Sequence, residues 1–515
     1  MRYAGNMTQA TPQPSTASAP TFCPQQQRRY VLIAAVLASS LGFIDGSIVS
    51  IAIPSIRADL GASFLDAQWI SNAYALVLST LILIGGAAGD RFGLRRTFIA
   101  GVALFIVASV ACGLAPNAAT LIICRAVQGI GAAIMTPCSL AIIAKAYPKA
   151  ERGRAIGLWA AASGMTTALG PVLGGLILSR FDASAWRIIF LINLPLGAIA
   201  LYLLFAKVPS DRPEQNQRLD VIGAALAALG FGALAYGLTT MSAEDAGQHF
   251  GAILAAMAVG VIGVAAFIIW ELKHPAPMVD LRLFRSNVFT GTNLATFFLY
   301  FSLSAVLFYL PMLLIAGWGV DPTEVGIAFV PLSAAIALLS GVVGKLSDRV
   351  GPRIPLAAGS LLVGAAFAAL GLAAHLDFHS FWGAVMPAMN VMALGMTLVV
   401  SPLSTAVMTA VDDKDTGAAS GINNAVSRVA GLIAVAAMGA LAAFVYGVVL
   451  RSSPEAASIT QSFGEAAKGL APALDTIRID ATDQAFAALA YVSAAFCLAA
   501  AAASWFMLED PAKTK

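Results

Sequence analysis

Charged residues are scarce in this 515-residue chain. Asp, Glu, Lys and Arg together make up 11% of it, whereas a soluble domain carries roughly 25%. Hydrophobic residues make up 59%, and the mean hydropathy is +0.82. This composition excludes an ordinary soluble domain. The net charge of +3 is spread over short loops, so the sequence predicts no basic patch for nucleic acid.

Metal-binding and catalytic patterns are also missing. The five cysteines show no CxxC spacing, and the four histidines lie near the ends of apolar segments, so we predict no metal site. The chain contains no Walker loop, no HExxH and no GxSxG sequence. These absences argue against ATP as an energy source within this chain and against a membrane enzyme.

Long apolar runs fill most of the sequence. A helix needs about 20 apolar residues to cross the hydrocarbon core of a bilayer, and fourteen segments meet this requirement. The sequence therefore predicts an all-α polytopic membrane protein. The predicted spans are 30–53, 67–89, 96–114, 119–144, 154–178, 186–205, 220–241, 250–272, 290–316, 324–346, 355–374, 381–408, 416–447 and 485–507. Residues 1–29 are rich in Ser, Thr, Pro and Gln, and we predict a disordered tail there.

Lys and Arg divide unevenly between the two sides of this arrangement. The side of the N-terminus holds 22 of them, the opposite side holds 6, and 2 (Arg125 and Arg428) lie inside helices, which together make the 30 in the chain. Short cytoplasmic loops carry an excess of Lys and Arg. We therefore predict that both termini are cytoplasmic.

One charged loop occurs twice. GAAGDRFGLRR begins at Gly86 and GKLSDRVGPR begins at Gly344, and both read G-x-x-x-D-R-x-G. The glycines allow a tight turn, and the aspartate can accept hydrogen bonds from a helix N-terminus. We expect this loop to act as a conformational switch. Its residues are Gly86, Asp90, Arg91, Gly93 and Arg95 in the first copy and Gly344, Asp348, Arg349 and Gly351 in the second.

The repeated loop resembles the signature of the major facilitator superfamily (MFS), where it follows the second helix of each half. Other stretches resemble the fourteen-helix drug–proton antiporters of the EmrB/QacA type. They are the antiporter motif G-P-x-x-G-G (Gly170, Pro171, Gly174 and Gly175), WRIIFLINLPLG at 186–197 and PMVDLRLFR at 277–285. The resemblance covers essentially residues 30–507.

This resemblance implies a domain plan. Two six-helix bundles occupy 30–206 and 273–510, and a linker with two inserted helices occupies 207–272. A long periplasmic loop is expected at 448–484. The family also implies the bacterial cytoplasmic (inner) membrane as the location.

Asp45 is the one acid that the predicted spans place near the middle of a helix, and ionisable residues at such depth are functional by default. It lies in FIDGSIVSIAIP, which resembles the family's helix-one motif. Arg125 lies in L-x-x-x-R-x-x-Q-G-x-G, which matches another MFS signature. The resemblance implies that Asp45 and Arg125 meet and couple transport to protons. The alternative is a permanent structural ion pair.

Further side chains of the predicted helices are candidates for lining a substrate cavity. Most aromatic residues in membrane helices serve packing instead, and Arg428 could equally extend towards the headgroups. The candidates are Trp69, Asn72, Tyr74, Gln128, Met135, Phe298, Tyr309, Asn390, Asn423, Asn424 and Arg428.

The resemblance implies a proton-coupled exporter of lipophilic, often cationic, small molecules. The alternative is export of a specific metabolite, siderophore or lipid by the same mechanism. We expect no cofactor other than protons as the coupling ion, and no enzyme activity. The expected partners are the substrate and membrane lipids, with a periplasmic adaptor and an outer-membrane channel as further candidates. We expect a monomer that binds no nucleic acid.

Overall fold

The structure is a computed structural model that describes residues 22–211, 219–243, 246–275, 277–412, 415–467 and 469–508. Within these residues, fourteen helices are long and apolar enough to cross a membrane, and each coincides with one predicted span. They are α1 Gln25–Leu60, α2 Phe64–Phe92, α3 Leu94–Gly113, α4 Ala118–Ala146, α5 Lys149–Arg180, α6 Ala183–Ala206, α7 Val221–Thr240, α8 Phe250–Lys273, α9 Asn287–Gly317, α10 Pro322–Val350, α11 Arg353–His375, α12 Phe381–Thr409, α13 Thr416–Ser452 and α14 Pro472–Met507. The predicted all-α membrane fold is confirmed.

Several spans are interrupted near prolines. α9 ends in a π-helical turn, Leu313–Gly317, directly after Pro311. α10 is broken at Phe329, and Pro331 lies in the first turn of its second segment. Proline has no N–H to donate to the helix ladder, so the neighbouring turns change their hydrogen bonding.

Helices α1–α6 and α9–α14 form two bundles. In the first bundle, α2 and α3 pack on α4, and α1 packs on α5 and α6. In the second bundle, α11 packs on α12 and α14, and α9 packs on α13 and α14. Glycines allow the closest approaches. A Cβ atom on Gly359 would lie 2.6 Å from the Gly395 carbonyl oxygen, so α11 and α12 pack backbone to backbone.

The inserted helices α7 and α8 form a hairpin on the outside of the bundles. They pack on each other, and a Cβ atom on Gly263 would lie 2.8 Å from the Gly230 Cα. α7 also packs on α2 and α13, whereas only 17% of the most apolar window of α8 is buried. The hairpin is therefore attached to the bundles through α7.

Two predicted boundaries are wrong. α1 begins at Gln25 rather than at residue 30, so residues 25–29 are helical; residues 1–21 of the predicted tail lie outside the described part. The predicted loop at 448–484 is shorter, because α13 continues to Ser452 and α14 begins at Pro472. Polar residues at the start of α14 resemble a loop in sequence, but Arg478 is buried and pairs with Asp475 along the helix.

The two ends of the molecule carry different loops. The signature end carries the two repeated loops that begin at Gly86 and Gly344. The far end carries the α1–α2 turn and the loop 453–471, which we call the far-end loop. Residues 212–218 of the predicted linker lie outside the described residues.

Candidate functional site

Asp45 and Arg125 meet in the middle of the first bundle, together with Gln128. Arg125 Nη1 donates to Asp45 Oδ2 at 2.6 Å and to Gln128 Oε1 at 2.7 Å, and Gln128 Nε2 donates to Asp45 Oδ1 at 2.9 Å. All three side chains are at most 2% exposed. We call this the charge network.

A second layer of contacts holds the Arg125 guanidinium in place. Its Nε donates to the Ile70 carbonyl at 3.1 Å, and its Cζ lies 4.3 Å from the centre of the Tyr74 ring. The Phe190 ring lies 5.8 Å away on another helix. Desolvated cation–π contacts of this kind are worth about 2 kcal/mol. The arginine is thus supported by α1, α2, α4 and α6.

The sequence L-x-x-x-R-x-x-Q-G-x-G explains this geometry. Arg125 and Gln128 are three residues apart and so share one helix face. A Cβ atom on Gly129 would lie 2.8 Å from the Tyr74 carbonyl oxygen, and one on Gly131 would lie 2.6 Å from the Phe105 nitrogen. The two glycines therefore bring α4 against α2 and α3, which places Arg125 beside Ile70 and Tyr74 on α2.

The charge network is electrically balanced, and a proton can change that. In the present state one carboxylate and one guanidinium compensate each other away from water. A proton on Asp45 would remove the countercharge of Arg125 and one of the two acceptor positions. Leaving one charge of a buried pair uncompensated costs about 3–5 kcal/mol, so loss of either charge would destabilise the contact between α1 and α4.

The antiporter motif joins α5 to both bundles. A Cβ atom on Gly170 would lie 2.3 Å from Ser47 Oγ and 3.1 Å from the Ile44 carbonyl, next to Asp45 in the chain. A Cβ atom on Gly175 would lie 2.3 Å from the Pro322 carbonyl of α10. Side chains at these glycines would separate the helices, so the motif links the surroundings of Asp45 to the second bundle.

Contacts between the bundles close the far end. Ser179 Oγ of α5 accepts a hydrogen bond from Thr323 Oγ1 of α10 at 2.7 Å. Arg57, at the end of α1, is 4% exposed and donates to the Phe463 carbonyl at 2.8 Å and to Ser462 Oγ at 2.7 Å in the far-end loop. It also pairs with Glu465 at 3.2 Å.

Phe463 fills the space beneath the far-end loop. It is 1% exposed. Its ring lies 5.6 Å from that of Phe64 in the first bundle, and 5.9 Å and 6.4 Å from those of Tyr309 and Tyr446 in the second. Neither Phe463 nor Arg57 belongs to a recognisable motif, so the sequence predicts the role of neither.

The first signature loop is held in a different way from the one predicted. Gly93 has φ +96°, as the turn requires. Asp90 pairs with Lys145 at 3.1 Å, and among the described residues it does not cap a helix N-terminus. That role belongs to Asp211, whose carboxylate accepts from the backbone N–H groups of Leu94 and Arg95 at 2.7 and 3.0 Å. Nothing in the sequence pointed to Asp211.

Arg95, the basic residue that follows the first copy of the motif, also binds the last turn of α6 and the segment after it. Arg95 Nε and Nη2 each donate to backbone carbonyls, of Leu204 and Phe205, at 2.8 Å, and Nη1 donates to Ser210 Oγ at 2.9 Å. In the second copy, Gly351 has φ +78°. Asp348 and Arg349 are exposed there, and no ion pair joins either to another residue that the structure describes. The two copies therefore share a turn and differ in their contacts.

Several candidate cavity residues serve packing in this conformation. The Trp69 ring lies 6.4 Å from that of Tyr236 in α7, and Asn72 Nδ2 donates to Thr239 Oγ1 at 3.4 Å, so α2 presents both to the inserted hairpin. Met135 is fully buried. In this conformation all three residues pack against protein, and their place in a substrate cavity stays a prediction. Tyr309 belongs to the far-end contacts, and Phe298 packs on Phe496, at 5.5 Å between ring centres.

Other candidates lie nearer to the space between the bundles. Gln128 belongs to the charge network, and the Tyr74 ring packs on the Arg125 guanidinium of that network. Arg428 is half-buried. Asn423 joins α13 to α9 by donating to Thr296 Oγ1 at 2.7 Å. Asn390 and Asn424 are exposed.

One group of side chains at the far end has ligand atoms close enough to hold a metal ion. Oxygen and nitrogen atoms of Asp377, His379 and Asp483 lie within 4.8 Å of one another. Both oxygens of Asp483 already take part in hydrogen bonds, with Trp318 Nε1 at 2.7 Å and His379 Nε2 at 2.7 Å. The predicted absence of a metal site stays a prediction.

Two helical bundles closed against each other at one end, with a buried ion pair within one bundle, define an integral membrane protein of the transporter class. The chain belongs to the Major Facilitator Superfamily, whose sequence model matches residues 35–435 and 292–515.

Curated relatives narrow this assignment to drug efflux. The chain is 33% identical over 414 residues to "Multidrug resistance protein Stp" of Mycobacterium tuberculosis (strain CDC 1551 / Oshkosh), covering 80% of this chain and 75% of the relative. It is 31% identical to "Tetracenomycin C resistance and export protein" of Streptomyces glaucescens, over 80% and 75%. It is also 31% identical to "Methylenomycin A resistance protein" of Streptomyces coelicolor, over 78% and 84%. These relatives confirm that it is an efflux transporter of this superfamily.

Solved structures share the fold at low sequence identity. A bacterial homolog of the human lysosomal transporter Spinster superimposes with a TM-score of 0.63 at 20% identity, covering 95% of this chain and all of the other. A D-xylose–proton symporter gives a TM-score of 0.60 at 15% identity, covering 94% and 98%. At these identities the likeness establishes the architecture alone.

Proposed function

We propose that this protein exports lipophilic, often cationic, small molecules in exchange for protons by alternating access. The observation that carries the proposal is the charge network, in which a single carboxylate and a single guanidinium lie together away from water. The names of the relatives, which concern resistance to several drugs and to two antibiotics, support the class of substrate.

In this mechanism Asp45 is the proton-binding group. When a proton arrives, Arg125 loses its countercharge and Gln128 loses an ionised acceptor, so α1 and α4 are no longer held in the same way. The backbone of α1 beside Asp45 touches Gly170, and the same motif on α5 touches α10 through Gly175. A shift of α1 would therefore reach the contact between the bundles at the far end.

The distribution of Lys and Arg supports a cytoplasmic location for the signature end. With that orientation, the present structure, closed at the far end by Arg57, Phe463 and the Ser179–Thr323 hydrogen bond, is closed towards the outside. Export then requires these contacts to separate after the substrate has bound from the inside, and to re-form once the proton has returned.

The test is proton release from purified, detergent-solubilised protein on addition of a lipophilic cation such as ethidium. The wild type is expected to release protons. Asp45→Asn keeps the side-chain size and removes titration, so it should release none, and uncoupler-sensitive efflux from cells should stop.

Asp59→Asn is the matched control, because Asp59 is also an acid of α1 but pairs with Arg187 at the far end. This variant should release protons like the wild type. Proton release from Asp45→Asn equal to that of the wild type would place the coupling elsewhere and refute the proposal.

A further inference from the structure

We propose that Asp220 and Glu271 form a second proton-binding site, at the signature end of the inserted hairpin. The site is separate from the charge network, and the inference does not depend on the proposed coupling at Asp45. It is carried by the geometry of two buried carboxyl groups that face each other.

Asp220 is fixed at the start of α7. It is 7% exposed. Its Oδ1 accepts from the Gly223 N–H at 2.8 Å and from Trp270 Nε1 of α8 at 3.0 Å, and the same indole N–H lies 3.2 Å from Oδ2. The carboxylate thus caps one helix and receives a donor from the next. A carboxylate oxygen can accept two hydrogen bonds, so Asp220 Oδ2 can accept a further one.

Glu271 lies opposite, near the end of α8. It is 3% exposed, and its Oε2 accepts from the Val279 N–H at 2.8 Å. Its Oε1 is buried without any hydrogen-bond partner if the group is ionised. A buried carboxylate oxygen without a donor is costly, so the unpartnered atom needs an explanation.

The unpartnered oxygen is directed at Asp220. A Cβ atom on Gly223 would lie 2.6 Å from both Glu271 Oε1 and Asp220 Oδ2, so the two oxygens border the same small space beside Gly223. Two ionised carboxylates can only accept, so they would leave this contact without a hydrogen and with two adjacent negative charges. One proton held between them removes both problems, since Glu271 Oε1–H then donates to Asp220 Oδ2.

The charged groups around Asp220 and Glu271 are consistent with one proton on the pair, which leaves the pair a single negative charge. His274 Nδ1 lies 3.8 Å from Asp220 Oδ2, and its ring stacks on Trp270 at 5.2 Å. Lys273 is exposed, and Arg282 is engaged with Asp280 at 2.9 Å. Among the described residues of α2 and α13, which pack on α7, none forms an ion pair with either carboxyl group.

The position of the site gives the proton a structural effect. Asp220 precedes α7, where the chain arrives from the first bundle, and Glu271 holds Val279, where the chain leaves for α9 and the second bundle. Loss of the proton would place two like charges between these connections. The protonation state of the pair therefore controls how firmly both connections are held to the hairpin.

The experiment is infrared spectroscopy of the purified full-length protein, following the C=O stretching band of protonated carboxylic acids at neutral pH. We expect such a band in the wild type and in Asp45→Asn. Glu271→Gln should lose the intensity of one carboxyl group, because the amide supplies the donor that the proton supplied. Asp220→Asn should lose the same intensity for the same reason.

Asp280→Asn is the control, since that carboxylate is in the same region but pairs with Arg282; it should leave the band unchanged. Gln and Asn keep a donor at the contact, so both test variants should keep the thermal stability of the wild type, whereas Glu271→Ala should lower it. An unchanged band in either Glu271→Gln or Asp220→Asn would overturn the proposal. Proton release coupled to Asp45 is measured separately, so each proposal can fail alone.

Discussion

Replacement of Phe463 by alanine is expected to open the far end of the transporter. Phe463 reaches from the far-end loop to aromatic rings of both bundles and is 1% exposed. These contacts exist only while the far end is closed. The substitution should therefore destabilise the closed state and leave the state with an open far end almost unaffected.

The size of the effect follows from this burial. Truncation of a buried Phe to Ala costs about 3–5 kcal/mol, which includes the loss of its aromatic pairs. Since about 1.4 kcal/mol changes an equilibrium constant tenfold, the ratio of closed to open molecules should fall by roughly 10²-fold to several thousandfold. Arg57 keeps its contacts to the loop backbone, so the closed state should not be lost completely.

The assay is double electron–electron resonance between spin labels at Ser184→Cys and Leu376→Cys, two exposed far-end positions in different bundles. Cys124 is changed to alanine in the same background, because it is the one native cysteine that is not buried. The wild type should give one short distance, and Phe463→Ala should add a longer one.

The matched control is Phe367→Ala. Phe367 is fully buried in α11, which packs on α12 and α14 inside the second bundle. This variant should lose a similar stability without a change in the distance distribution. If Phe463→Ala shows the wild-type distribution, or if Phe367→Ala shows the same shift, then Phe463 does not hold the far end closed.

Two further predictions concern the signature loops and the topology. Asp90→Ala should impair transport without preventing membrane insertion, because it removes the ion pair with Lys145. Asp348→Ala should have a smaller effect on transport, because that side chain is exposed. Wild-type transport by both variants would contradict this prediction. Reporter fusions after Lys207 and after Leu272 should report a cytoplasmic location, and a fusion after Met241 should report a periplasmic one. A cytoplasmic result for the fusion after Met241 would exclude a membrane-spanning hairpin.

The sequence predicts the fourteen helices well because the hydrocarbon core imposes a length and a composition on each of them. It predicts their ends less well. α14 begins at Pro472, ahead of the apolar run, because Asp475 and Arg478 satisfy each other on the helix surface. Such pairs are read as loop residues when only hydropathy is considered.

The charge network could be anticipated because charges are rare within membrane helices. Asp45 and Arg125 stood out on that ground, and the family resemblance brought them together. The contacts of Asp211, Phe463 and Glu271 could not be anticipated, since each joins segments that are distant in the chain or lies in a loop of ordinary composition. Residues of the cavity were the least predictable, because an aromatic side chain such as Trp69 has the same sequence signal whether it faces a ligand or a neighbouring helix.

The attachment of the hairpin also makes the molecule asymmetric. The two bundles meet along two seams, α2 with α13 on one side and α5 with α10 on the other. Along the first seam α7 contacts both helices, whereas in the described part of the chain neither helix of the inserted hairpin packs on α5 or α10. The surroundings of the two seams therefore differ: a molecule that approaches the first seam from the bilayer meets α7, and one that approaches the second does not. The inserted pair therefore covers one of the two seams between the bundles and leaves the other without it.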